Sequence, residues 1–136
     1  MPSDYTVIFK NGKHFGNERS FLSNVEPNAE FVGPNGDFSF PCPGVNPRER
    51  SVLMFQSRDV DHQKNVFKVN GVSITGRIPD SPSKDTWNGN VMIIEPSVLR
   101  ATNNVLRVES RNTSGDGGGD IDDFILDNMV IVYKAQ

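Results

Sequence analysis

The chain lacks several features that would point to a thiol enzyme, a membrane protein or a nucleic-acid-binding protein. Its 136 residues include one cysteine, so no internal disulfide forms, and the flanking prolines predict that Cys42 is a packed side chain in a turn. No apolar run approaches the roughly 20 residues of a membrane span, and the first residues do not resemble a signal peptide. The net charge of −3 predicts no attraction to nucleic acid or to an anionic membrane.

Helical periodicity is also missing, whereas turn-forming residues are frequent. Twelve Gly and nine Pro exceed the content expected of a helical protein of this length, and nine Phe are available for a core. Short β-rich segments bounded by turn residues predict a single domain over residues 1–136, an all-β antiparallel sandwich of about eight strands. The β-rich segments from which these strands are expected cover residues 5–10, 21–22, 30–32, 37–40, 51–56, 66–69, 72–74, 91–95, 105–110 and 124–133, and those at 21–22, 30–32 and 37–40 are the weaker ones.

The order of several motifs resembles a known family. The motifs are Asp59-Val60-Asp61, an Asn-Gly turn at Asn70-Gly71, the single tryptophan Trp87, the segment Asn-Asn-Val-Leu-Arg-Val at 103–108 and a closing Phe-Ile-Leu-Asp-Asn at 124–128. This order is similar to that of galactose-binding-like jelly rolls, which occur as carbohydrate-binding modules. The resemblance covers roughly the last 80 residues. It implies a jelly-roll fold and a non-catalytic, lectin-like binding function.

A carbohydrate site is predicted around Trp87. An exposed indole can stack on a pyranose ring, and Arg77, Asn88 or Asn90 would supply hydrogen bonds to its hydroxyl groups. The other interpretation of Trp87 is a core residue packed under the preceding loop.

A glycine-rich acidic loop is the sharpest local feature of the sequence. Concentrated carboxylates repel one another, and a Ca²⁺ ion held by oxygen ligands would relieve that repulsion. The sequence therefore predicts a structural calcium site, although the spacing is not that of an EF-hand. A solvated hairpin loop is the alternative. The candidate ligands are Asp116, Asp120, Asp122 and Asp123.

Two functions from different classes remain open at this point. The first is a carbohydrate-binding module with a structural calcium ion. The second is a structural or assembly module that binds no sugar and pairs with other chains, as in an oligomer, or with a neighbouring domain. No pair of carboxylates is recognisable as a general acid and its partner, so no enzymatic activity is predicted. The two functions differ in the surface they require: a shallow groove with an aromatic and polar groups, or a large exposed apolar patch.

Overall fold

The structure, a computed structural model, describes residues 2–22, 25–74, 78, 80–81 and 86–136. The described part of the chain contains ten strands, which confirms the predicted all-β fold with two strands more than expected. No helix in these residues is long and apolar enough to cross a membrane. The strands are β1 (Ser3–Phe9), β2 (Lys13–Phe15), β3 (Glu30–Gly33), β4 (Asn35–Phe40), β5 (Ser51–Arg58), β6 (Val66–Val69), β7 (Val72–Ser73), β8 (Trp87–Ile94), β9 (Asn104–Glu109) and β10 (Phe124–Lys134).

The strands form two sheets that pack face to face. The six-stranded sheet has the order β3-β2-β10-β5-β8, and β1 pairs with β10 beyond the end of β2. The four-stranded sheet has the order β4-β9-β6-β7. All pairings are antiparallel except that of β2 with β3. From β3 onward the chain passes repeatedly from one sheet to the other, which is the connectivity of a jelly roll.

The core lies between the sheets because each central strand turns alternate side chains inward. In β5, Leu53 and Phe55 are buried whereas Met54 between them is exposed. Phe55 stacks on Phe67 of the opposite sheet, with ring centroids 5.1 Å apart. Burial of one such phenylalanine side chain stabilises the fold by roughly 1.5–3 kcal/mol. The predicted location of Cys42 is confirmed, since its side chain is fully buried.

The Asn-Gly turn between β6 and β7 forms as predicted. Asn70 and Gly71 have φ angles of 52° and 80°, which asparagine and glycine adopt with little strain. The Asn70 side chain also donates to the buried Asn104 Oδ1 and accepts from the backbone N–H of Val105. These hydrogen bonds hold the turn against β9, so Asn70 and Asn104 stabilise the fold.

Two local predictions were wrong. Phe21 and Leu22 lie in a turn, because Phe21 N–H bonds to Glu18 O and Leu22 O accepts from Val25 N–H. The strand predicted at 91–95 begins four residues earlier, at Trp87. The second difference decides where the predicted carbohydrate residues point.

Candidate functional site

Trp87 lies on the outer face of the six-stranded sheet, the face turned away from the four-stranded sheet. It is the first residue of β8 and pairs across the strands with Arg58 of β5. The Arg58 guanidinium carbon lies 5.4 Å from the centroid of the indole ring, within the range of a cation–π contact. The indole is half-buried, so Trp87 is neither a fully exposed platform nor a core residue.

Asn88 and Asn90 do not share that face. Side chains alternate along a strand, so both asparagines of β8 turn to the opposite side from Trp87. Asn88 Nδ2 donates to Ser81 Oγ at 3.4 Å, and the buried Asn90 donates to Ser57 Oγ at 2.9 Å. Arg77, the fourth residue predicted for the site, lies outside the described residues. The structure therefore does not assemble the predicted combination of indole and amides on one surface.

The four predicted calcium ligands also lie in different surroundings. Asp116 and Asp120 are exposed on the loop, whereas Asp122 and Asp123 are buried. Asp123 Oδ1 lies 2.7 Å from Nε2 of the buried His14, so that oxygen already has a partner. Among the residues described, no three His, Cys, Asp or Glu side chains are grouped closely enough to hold a metal ion. Calcium binding stays a prediction.

Hydrogen bonds from Asn112 hold the glycine-rich loop in place. Asn112 Oδ1 accepts from the backbone N–H groups of Ser114 and Asp116, at 2.9 and 3.0 Å. Its Nδ2 donates to Gly118 O at 2.8 Å. The side chain that organises this loop is thus the Asn112 amide at its start. The sequence prediction considered only the carboxylates of the loop and missed this role.

Asp122 is a buried acid with a strongly raised pKa. Its Oδ2 accepts hydrogen bonds from the Asp61 backbone N–H at 3.1 Å and from Asn65 Nδ2 at 2.8 Å, but its Oδ1 has no partner among the described residues. The pKa of Asp122 is raised to about 7, chiefly by burial; the two hydrogen bonds oppose this increase, and the carboxylates of Asp61 and Asp59 add to it. Because only 4% of Asp122 is exposed, we assign it to the fold and not to contact with a substrate.

A shallow groove crosses the outer face of the six-stranded sheet above Gly89. Its volume is about 390 Å³. Gly89 leaves space there, because a Cβ added at this position meets no atom within 4 Å. Met54, Val91 and Val130 provide apolar walls, and the polar end carries Gln56 and Asn128.

A bulge in β10 places Asn128 at the groove. The register between β10 and β5 shifts between Asp127 and Val130, and Asn128 adopts a left-handed φ of 50°. Its Nδ2 donates to Gln56 Oε1 at 2.7 Å. That bond uses one donor of Asn128 and the acceptor of Gln56, and no hydrogen bond within the described part of the chain uses Asn128 Oδ1 or Gln56 Nε2, so both can bind another molecule. Sequence analysis missed this pair, since the bulge depends on how β10 pairs with β5.

An apolar row runs from the groove across four strands of the same face. The strand registers place Val7 beside Val130, Val130 beside Met54 and Met54 beside Val91. Val7, Met54 and Val91 are 47%, 45% and 60% exposed. The next row adds Tyr5, which is 64% exposed. This outer face is therefore apolar over much of its width.

No family model matches the chain, and no curated protein matches it. A solved structure to which the chain is similar is a family 35 carbohydrate-binding module from Clostridium thermocellum, in its native form. The two share 16% sequence identity with a TM-score of 0.48, over 74% of this chain and 72% of that one.

Proposed function

We propose that this chain is a non-catalytic carbohydrate-binding module that holds its glycan in the outer-face groove. The observation that carries the proposal is that the apolar walls of the groove lie beside the hydrogen-bonded amides of Gln56 and Asn128. A site of this type combines apolar contact area with a few polar groups that set the orientation of the ligand.

The chemistry of the groove suits a sugar ring. One face of a pyranose presents C–H groups, for which the side chains of Met54, Val91 and Val130 are apolar partners. The ring hydroxyls both donate and accept, and the open atoms of the amide pair are one acceptor and one donor.

In this proposal Trp87 stacks on the sugar ring, as the sequence predicted, but its neighbours at the site are Gly89 and Val91. Trp87, Gly89 and Val91 are successive outward residues of β8, so the indole lies on the groove face. Gly89 separates the two larger side chains and leaves room for a ring between them. Asn88 and Asn90 contribute to the fold from the inner side of the strand in this proposal.

Replacement of Asn128 by glycine tests the proposal directly. Glycine accepts the left-handed backbone at this position, so Asn128→Gly removes the amide with little strain. We expect about tenfold weaker glycan binding, the loss that corresponds to roughly 1.4 kcal/mol. The measurement is a glycan array followed by titration calorimetry with the best ligand.

Asn103 offers a matched control, since it is an exposed asparagine with a φ of 58° outside the groove. Asn103→Gly should bind the glycan as the unmodified protein does. The carbohydrate proposal is refuted if no glycan of the array binds the protein, or if both substitutions lower the glycan affinity equally.

A second function, assembly with another protein, is favoured by the exposed apolar row. Soluble monomers expose scattered apolar side chains, whereas Val7, Met54 and Val91 lie in one row with Val130 between them. We propose this function as the alternative if no glycan binds. Sedimentation at increasing protein concentration tests it for self-association.

A structural calcium ion at the acidic loop is a separate proposal. Its test is a thermal melt of metal-stripped protein with and without millimolar Ca²⁺. Calcium at about 100 times its Kd would stabilise the fold by roughly 2.7 kcal/mol. That gain should be absent from Asp120→Asn, whose carboxylate is exposed on the loop. An unchanged midpoint in the unmodified protein would exclude the calcium ion.

A further inference from the structure

Strand β8 forms one edge of the six-stranded sheet. All eight of its residues pair with β5 in unbroken register, from Ser51 opposite Ile94 to Arg58 opposite Trp87. Among the residues that the structure describes, no strand pairs with its other side. Half of the backbone donors and acceptors of an edge strand point away from its sheet, where another strand can pair with them. Within the described part of the chain, a side-chain hydrogen bond to the β8 backbone runs from Asn90 Nδ2 to Asn88 O, at 3.3 Å.

This edge lacks the features by which proteins block strand pairing. Residues 87–94 include no Lys, Arg, Asp, Glu or Pro, and no bulge interrupts the pairing with β5. The other edges are protected in this way. Strand β1 has a bulge between Val7 and Phe9 and carries Asp4, and β3 is four residues long and carries Glu30, which pairs with Lys13. Strand β7 has only two residues, and β4 carries the salt bridge from Asp37 to Arg107.

We infer that two copies of this chain pair antiparallel through the free edges of β8, which joins their six-stranded sheets into one. This inference rests on the assembly function proposed above and names its partner. A second copy fits because an uncharged strand brings no like charges opposite one another when it pairs with itself. The described strands of each copy provide one such edge, so the twofold contact closes at a dimer.

Gly89 and Val91 indicate the register. When Asn90 lies on the twofold axis, Val91 of one copy is directly opposite Gly89 of the other, and the same pair recurs on the other side of the axis. The branched side chain then covers an open position, since a Cβ at Gly89 meets nothing within 4 Å. A glycine inside a strand often marks the close approach of another backbone.

The joined sheet also extends the apolar row. Val91 is the last residue of that row on each copy, so pairing at β8 brings the two rows into line. A single strand pair buries less area than a standard interface, so we expect a dimer that dissociates on dilution.

Sedimentation equilibrium of the full chain over a wide concentration range tests the inference. The average mass should rise from that of one chain towards that of two, and hydrogen exchange should show protection of β8 amides that increases with concentration. A mass of one chain at all concentrations up to about 1 mM overturns the inference.

Lysine substitutions locate the contact. Val91→Lys places on the edge the charge that protects edge strands elsewhere, and should weaken dimerisation about tenfold or more. Gly89→Lys is a second edge variant, whose side chain has open space. Met54→Lys is the matched control, because Met54 lies directly beside Val91 on the same face but on the interior strand β5.

We expect Met54→Lys to dimerise as the unmodified protein does. If Met54→Lys weakens the dimer as much as the edge variants do, the contact is the apolar face, and the β8 inference fails while the assembly function stands. Glycan binding is measured separately, by the array and by calorimetry, so failure of the dimer and failure of the carbohydrate proposal are distinguishable results.

Discussion

Asp122 should make the protein less stable as the pH rises, and its replacement by asparagine should remove much of that dependence. The carboxyl is buried, and it has two hydrogen-bond donors at Oδ2 but no partner at Oδ1 among the described residues. An asparagine at this position can accept the same two hydrogen bonds through its oxygen and carries no charge at any pH.

The magnitude follows from the pKa shift. The folded-state pKa of Asp122 is raised from the ordinary value of 3.8 to about 7 by burial first of all. The folded protein therefore binds a proton that the unfolded chain has released, and stability falls as the pH rises from about 4 through 7. At 1.36 kcal/mol for each pKa unit, the total loss is about 4 kcal/mol.

Urea denaturation of Asp122→Asn and of the unmodified protein between about pH 4 and pH 8 measures this difference. The variant should be more stable by a few kcal/mol at the upper end, and the two curves should converge at the lower end. Asp116→Asn is the control, because Asp116 is an exposed carboxylate of the same loop. A difference between Asp122→Asn and the unmodified protein that does not change with pH would refute the reasoning.

Two further predictions concern side chains that sequence analysis singled out. Asn104→Ala should lower the free energy of unfolding, measured by urea denaturation, by about 3 kcal/mol. The fully buried amide makes four hydrogen bonds, and three of them are to backbone groups that would lose their partner. Asn103→Gly, the control, should have little effect. Cys42 should react with an aromatic disulfide reagent only after unfolding, because burial raises its pKa to about 12, and rapid labelling of the folded protein would contradict this.

Features set by nearby residues could be predicted from the sequence. The Asn70-Gly71 turn was recognisable because these residues tolerate positive φ angles, and both adopt them. Strand β6 has the predicted bounds, and β10 differs by one residue, because their β-forming residues are continuous. Local propensity and spacing were enough to identify these elements and the sandwich they form.

Features set by distant residues could not be predicted in this way. Asn128 reaches the groove through a bulge, which exists only relative to the partner strand β5. The Asp123 side chain is oriented by its hydrogen bond to His14, a residue 109 positions away in the sequence. A start of β8 at Trp87 placed Asn88 and Asn90 on the inner side, because side chains of a strand alternate between its faces.

The two outer faces of the sandwich differ in chemistry, and this difference favours the six-stranded sheet as the functional surface. On the four-stranded sheet, the row across the strands is Asp37, Arg107 and Lys68, with Arg107 bonded to Asp37 at 3.1 Å. Such a charged row is stable in water without a ligand. The corresponding row of the six-stranded sheet ends at Met54 and Val91, which lose contact with water only when another molecule covers them.

Because Val91 belongs both to the groove and to the free edge, glycan binding and dimerisation should be linked. A glycan that spans two aligned grooves would strengthen the dimer, whereas a glycan that needs the edge of β8 to be free would weaken it. By linkage, the factor by which the glycan changes the dimerisation constant equals the factor by which dimerisation changes the glycan affinity. Sedimentation of the same sample with and without saturating glycan gives the sign of this coupling. A dimer that is indifferent to the glycan would place the ring away from Val91, towards Trp87.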